Sequence, residues 1–238
     1  MSIINWMDKT FYPQSDYNWD NVLFRKYLLR HIESGMSCLE YGAGRGNVKE
    51  MNFHGQVRYI AGVDIDEIVL ENKFLDDARV INPADCVIPY EDESFDVVFS
   101  DNVMEHVENP KKVFREISRV LKPGGKLIFK TPNKWHYVPF VARVTPTSFH
   151  KYFNQLRGRQ ASDTFPTCYR CNTKSRLIQL AEASGFTLGE FQYWEGRPEY
   201  LRLSFLTYFL GYFYERIVNS TELLSPLRAV LVSELVKR

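Results

Sequence analysis

An α/β fold built on a doubly wound sheet is predicted by three features of this chain. The apolar run Cys38-Leu39-Glu40-Tyr41 breaks at Gly42-Ala43-Gly44-Arg45-Gly46. A second apolar run from Tyr59 to Val63 ends on Asp64, and further runs at 95–100 and 126–130 bracket an amphipathic stretch at 110–121. Continuous apolar strands alternating with helical periodicity belong to a sheet covered on both faces.

The three glycines stand at two-residue spacing where, by this pattern, a strand turns into a helix. Glycine permits close approach of a ligand and backbone angles that other residues avoid. A helix starting there would point free N–H groups and its positive dipole end at that ligand. A nucleotide-type cofactor site is therefore expected near Gly42, Gly44 and Gly46, with a purely structural tight turn as the alternative. Asp64 follows Gly44 by about 20 residues, a spacing at which an acid in a doubly wound sheet lies beside the first glycine turn and meets ribose hydroxyls. Its alternative role is a helix N-cap, for which Asp66 competes. The dinucleotide fingerprint G-x-G-x-x-G is not matched, because the third glycine comes one position early, and there is no second phosphate-cradling loop.

The remaining matches accumulate along the chain: Glu40 to Gly46, Val63-Asp64, Asp85, Phe95-Asp96-Val97-Val98, Glu105-His106-Val107, Arg119 to Gly125 and Thr131-Pro132-Asn133. In this order the chain resembles a class I S-adenosylmethionine-dependent methyltransferase, of the branch that includes the ubiquinone and menaquinone biosynthesis methyltransferases. The resemblance runs from about residue 36 to 133. It implies a Rossmann-like, seven-stranded, mostly parallel sheet whose last strand is antiparallel, with a lid insertion after strand five. It also implies S-adenosyl-L-methionine as cofactor. Glu40 and the glycines would hold the methionine part, Asp64 the ribose, and Asp85 with Cys86 the adenine; Ser100 and Asp101 would face the sulfonium, with Ala43 and Ile65 as further cofactor contacts. That cofactor carries no phosphate, which suits a short glycine turn with acids.

The whole chain, 238 residues, reads as one methyltransferase domain. Residues 1–35 form an N-terminal cap region, 36–132 the cofactor core, 133–171 a substrate cover, and 172–238 the C-terminal half of the sheet with a helical insertion. A formal charge of +1 gives no global attraction to nucleic acid. Four cysteines and the polar start Met1-Ser2-Ile3-Ile4-Asn5 point to a reducing cytoplasm.

A helix is expected over about 18–33, with Tyr12 and Tyr17 just before it as lid candidates or ordinary surface aromatics. Asn102-Val103-Met104-Glu105 has the form of a capping box and would set His106 in the first turn of a helix, as a general base, a substrate contact or a loop support. Asn109 and Pro110 start the next helix, which buries Val113, Phe114, Ile117, Val120 and Leu121 and leaves Lys111, Lys112, Arg115 and Arg119 as a solvated face.

The connection from 133 to 171 is long for a compact domain. Its basic residues and aromatics, among them Trp135, Tyr137, Arg143, Tyr169 and Arg170, suit either a cover over an anionic or aromatic acceptor or a basic surface over a satellite core. His136, His150 and Tyr169 are further candidate bases. Cys168 and Cys171 lack the second pair a structural zinc needs, so no metal is implied. Thr173 caps the following helix, which ends at Gly185. Phe186 to Tyr193 and Arg228 to Val236 are the last strands of the implied topology. The apolar run Tyr200 to Tyr214 is too short to span a bilayer, and its aromatic faces suggest a dimer contact, a peripheral lipid-facing patch or an acceptor pocket, with core packing as the default.

The resemblance implies in-line methyl transfer to an oxygen or nitrogen of a small-molecule, lipid or glycan-precursor acceptor. Where the acceptor is a hydroxyl, His106, His136 and His150 are the bases, in that order. The alternative is a catalytically silent cofactor-binding or interaction protein on the same fold.

Overall fold

A computed structural model describes residues 2–13, 19–139 and 166–238. Tyr17, Arg143 and His150 lie outside the described residues. Seven strands form one sheet in the order β3-β2-β1-β4-β5-β7-β6. They are β1 (Ser37–Tyr41), β2 (Tyr59–Asp64), β3 (Asp77–Val80), β4 (Phe95–Asp101), β5 (Leu121–Pro132), β6 (Phe186–Trp194) and β7 (Val230–Lys237). β1 to β5 pair in parallel, whereas β7 runs antiparallel to both β5 and β6. Every residue of β1 is buried, as expected of a central parallel strand covered on both sides.

Alternation along the strands sorts the core into two layers. Leu39, Ala61, Val98, Leu127 and Phe129 share one layer with Val113, Phe114 and Ile117 of helix α3 (Pro110–Val120) and Leu177 and Leu180 of helix α4 (Lys174–Ala183). Cys38, Ile60, Val97, Phe99 and Ile128 share the other with Phe24 and Leu28 of helix α2 (Trp19–Leu28). Helices α1 (Ile3–Phe11) and α5 (Phe205–Asn219) pack on each other outside these layers. None of the described helices is long and apolar enough to cross a membrane.

Helix starts follow their caps. Asn109 Oδ1 accepts from the Lys112 amide with Pro110 in the first turn, and Thr173 accepts from the Arg176 amide. α4 stops before Gly185, whose φ of +80° suits glycine.

Four expectations are corrected. No α-helix follows the glycine turn; the chain makes only a short 3-10 turn, Lys49–Met51. Met51 and Phe53, two residues apart, both plug the core, a spacing that suits extended chain. Arg25 Nη1 also donates to the carbonyls of Glu50 (2.7 Å) and Asn52 (2.9 Å), oxygens that a helix would have used itself.

Asn102 to Glu105 is a turn and not a helix start. Asn102 has φ +53° and its amide donates to Lys130 O, while the His106 amide closes on Val103 O. Pro110 then disfavours helical angles at Asn109, so the helix begins there.

α2 ends earlier than expected, its last turn tightening as the amides of Arg30 and His31 donate three residues back to Tyr27 O and Leu28 O. Arg119, finally, does not belong to a solvated face. It donates to Ile88 O (2.7 Å) and Tyr90 O (2.9 Å) and pairs with Glu116 and Asp92, clamping the loop before β4.

Candidate active site

Strand order reverses direction between β1 and β4, and a crevice opens beyond their carboxyl ends, where ligands bind in open α/β sheets. The cleft holds about 390 Å³. Its walls include Glu40, the turn from Gly42 to Val48, Asn72, Phe74 and Asp101. Gly42, Gly44 and Gly46 all have positive φ. A side chain at Gly44 would meet no atom of the protein within 4 Å and so would project into the cleft. At Gly46 it would collide with Asn72 Oδ1. Glycine is therefore required for two different reasons at two positions.

The turn is pinned from behind. Asp64 Oδ2 accepts from the Gly44 amide at 2.9 Å and its Oδ1 from the Asp66 amide at 3.0 Å. Asp66, not Asp64, caps the short 3-10 turn Glu67–Glu71. Asn72 adds a second tie, its Nδ2 donating to Ala43 O and Gly44 O. Asn72 gave no local signal in the sequence, because what it touches is set by the path of the chain after β2.

Glu40 is 8 % exposed and its carboxylate opens on the cleft; among the described residues nothing donates to it or pairs with it. Burial, with the carboxylates of Asp101 and Asp64 nearby, pushes its pKa well above the ordinary carboxylate range. Asp101 is also raised by burial, against the pull of Lys130. Lys130 is fully buried, with Nζ 2.9 Å from Asp101 Oδ1 and 2.6 Å from Asp20 Oδ2, and it also donates to Asn21 Oδ1. Burial works against its charge, but the two acids outweigh it and its pKa is raised. The sequence reading passed over this lysine, although a charge at the end of an apolar strand is itself a sign of a buried partner.

The other expected cofactor contacts are dispersed. Ile65 is exposed just past Asp64. Asp85 is exposed and accepts from the Val87 amide, and the Cys86 thiol points back to Pro83 O. Ser100 is fully buried and donates to Tyr41 O at 2.8 Å, so its hydroxyl joins β4 to β1 and does not line the cleft.

Among the candidate bases, His106 stands at the carboxyl end of β4, with Nδ1 2.9 Å from Pro166 O and Nε2 3.8 Å from Glu105 Oε1. Glu105 is buried, which raises its pKa. It accepts from Thr131 Oγ1 at 2.9 Å, and its carbonyl receives the amides of Cys168 and Tyr169. This fastens residues 166–171 against the strand end.

His136 is placed elsewhere. It is buried between the rings of Tyr137 and Tyr214, with Nε2 3.4 Å from Glu195 Oε2, so both His136 and Tyr137 serve packing and are absent from the cleft wall. Burial, with Tyr200 and Glu105 nearby, pushes the Tyr169 hydroxyl up to about 12, a poor base near neutrality. Trp135 is 62 % exposed. Tyr12 donates to Glu215 on α5 and is not a lid over the cleft. The four cysteines are free thiols.

Residues 39–129 match the family described as a methyltransferase domain. A probable S-adenosylmethionine-dependent methyltransferase of Mycolicibacterium smegmatis is 32 % identical over 72 % of this chain and 63 % of its own length. The ubiquinone biosynthesis O-methyltransferase of Coxiella burnetii is 25 % identical, with 71 % of each chain covered. The chain is similar to class I S-adenosylmethionine-dependent methyltransferases, and the methyltransferase-domain match covers residues 39–129. The crystal structure of a putative sarcosine dimethylglycine methyltransferase from Galdieria sulphuraria has the same fold, with a TM-score of 0.57 at 17 % identity over 92 % of this chain and 85 % of that one. The chain spans between 36 % and 63 % of the length of several curated relatives that it matches.

The donor set of the cleft fits S-adenosyl-L-methionine, the cofactor of the relatives that the chain resembles. The cleft offers a buried carboxylate, without a partner among the described residues, for a cationic group, and an open face at Gly44 where backbone can touch a ligand. Its other charged residues include Asp101, held by Lys130.

Proposed function

We propose that the chain transfers the methyl group of S-adenosyl-L-methionine to an oxygen or nitrogen of a small-molecule, lipid or glycan-precursor acceptor. The observation that carries this reading is the Glu40 carboxylate, buried on the wall of the glycine-turn cleft without a partner among the described residues. When bound, the cofactor supplies an activated sulfonium methyl. Glu40 would accept hydrogen bonds from its ammonium, and the backbone of the Gly42–Gly46 turn, pinned by Asp64 and Asn72, would line its methionine part. Each Asp64 oxygen already takes one backbone amide and keeps a lone pair for a ribose hydroxyl. The Lys130–Asp101 pair holds a fixed charge at the floor of the cleft, so Asp101 does not swing toward the reacting centre.

Because a sulfonium methyl needs little acid-base help, the protein contributes mainly alignment and exclusion of water. For a hydroxyl acceptor, His106 is the base. Pro166 O can only accept, so Nδ1 carries the hydrogen and Nε2 is the basic nitrogen. The Coxiella relative, named for O-methylation in ubiquinone biosynthesis, supports an oxygen acceptor.

Calorimetric titration of the protein with S-adenosylhomocysteine tests the reading. Micromolar binding that is weakened in Glu40→Gln is expected; no binding at millimolar concentration would sink it.

A further inference from the structure

A second cavity, of about 550 Å³, opens between the first turns of α3 and α4. Lys111 from α3 and Arg176 from α4 border it, with Lys134 just after β5 and Arg170 in the segment leading to α4. Among the described residues that line it, Glu108 is the only carboxylate. Arg170 Nη1 donates to the Glu108 carbonyl (2.5 Å) and Arg176 Nη1 to the amide oxygen of Gln179 (3.2 Å), both neutral acceptors. Four cations against one acid leave a strongly positive concavity on a chain whose formal charge is only +1. Such crowding raises the local potential and focuses anions into the recess. The caps Asn109 and Thr173 belong to the same wall, so the positive ends of both helices add to that field.

We propose that this cavity binds a phosphoryl or diphosphoryl group carried by the acceptor. Four cations converging from four separate segments match a multivalent anion with several acceptor oxygens better than a single carboxylate. α3 follows β4 and Lys134 follows β5, so the cavity lies at the same carboxyl edge of the sheet as the glycine-turn cleft. An acceptor anchored here by its phosphate would present its other end toward the Asp101 side of the edge. Lys111, by its spacing one residue of a solvated helix face, thereby becomes a binding residue. The word acceptor rests on the methyltransferase reading; the anion site does not.

The test is calorimetry with inorganic pyrophosphate at low salt, on the full chain and on the double variant Lys111→Gln/Arg176→Gln, with S-adenosylhomocysteine titrated into both. The full chain is expected to bind pyrophosphate and the double variant to bind it at least about tenfold more weakly. S-adenosylhomocysteine affinity should be equal in the two, which also shows that the variant is folded. Equal pyrophosphate affinity in both proteins, or none in the full chain, overturns the proposal whatever the cofactor titration shows. Lys111- and Arg176-dependent pyrophosphate binding by a full chain that ignores S-adenosylhomocysteine keeps the site and sinks the methyltransferase reading. Cosedimentation with phosphatidylcholine vesicles containing phosphatidic acid, absent with phosphatidylcholine alone and lost in the double variant, identifies a lipid as the source of the phosphate. Pyrophosphate binding without such cosedimentation identifies a soluble phosphate ester.

Discussion

Replacing Glu40 by glutamine separates affinity from stability, and the structure sets the sign of both effects. In the free protein, burial and the neighbouring carboxylates hold the Glu40 pKa well above its unfolded value. The folded state therefore retains a proton that the unfolded chain has lost. Glu40's contribution is most favourable at low pH and declines as pH rises from the unfolded pKa toward the folded one. A cationic ligand at the cleft favours the ionised carboxylate and must displace that proton. Between the liganded and free pKa values of Glu40, affinity should rise up to tenfold per pH unit, or about 1.4 kcal/mol. Above that range, losing the charge pair costs about 2–5 kcal/mol of binding. Calorimetry with S-adenosylhomocysteine from pH 5 to 7, in two buffers of different ionisation enthalpy, reads both the slope and the protons released. Glu40→Gln is expected to bind more weakly with a flatter slope and fewer released protons, and to melt higher than the parent at pH 8 without ligand. Identical slopes and proton counts in the two proteins would refute the assignment of the ammonium site to Glu40.

Other outcomes follow from contacts away from that carboxylate. Lys130→Met leaves Asp101 and Asp20 without their shared cation and should cost about 3–5 kcal/mol in urea unfolding at pH 7; a loss below 1 kcal/mol would show that the acids find other partners. Phe114→Ala empties a fully buried ring site in the layer under α3 and should cost about 3–5 kcal/mol with the unfolding slope unchanged. Gly46→Ala forces a methyl group onto Asn72 Oδ1 at a positive φ; cofactor affinity should fall together with thermal stability, and normal affinity would mean that Asn72 does not hold the turn.

Legibility in the sequence tracked locality. The glycine turn and the Asn109-Pro110 and Thr173 helix starts rest on spacing or capping over a few residues and appear where expected, as does the antiparallel last strand, which the family resemblance implied. The helix after the glycines failed because Arg25, on a different element, takes the carbonyls of Glu50 and Asn52. The capping box at Asn102 failed because that amide instead pairs with Lys130 O on the adjacent strand.

By itself the sequence determined which residue types stand at the carboxyl ends of the strands: glycines at the turn after the first strand, and acids at 64 and 101. Only the tertiary structure decided which of those groups are already engaged. It turned the Ser100 hydroxyl to Tyr41 O, enclosed His136 between two tyrosine rings, paired Asp101 with Lys130 and left Glu40 on the cleft wall without a partner among the described residues. Spacing along a chain fixes the face on which a side chain emerges. Which distant group meets it there depends on elements as far apart as residues 20 and 130, brought together only when the apolar layers close.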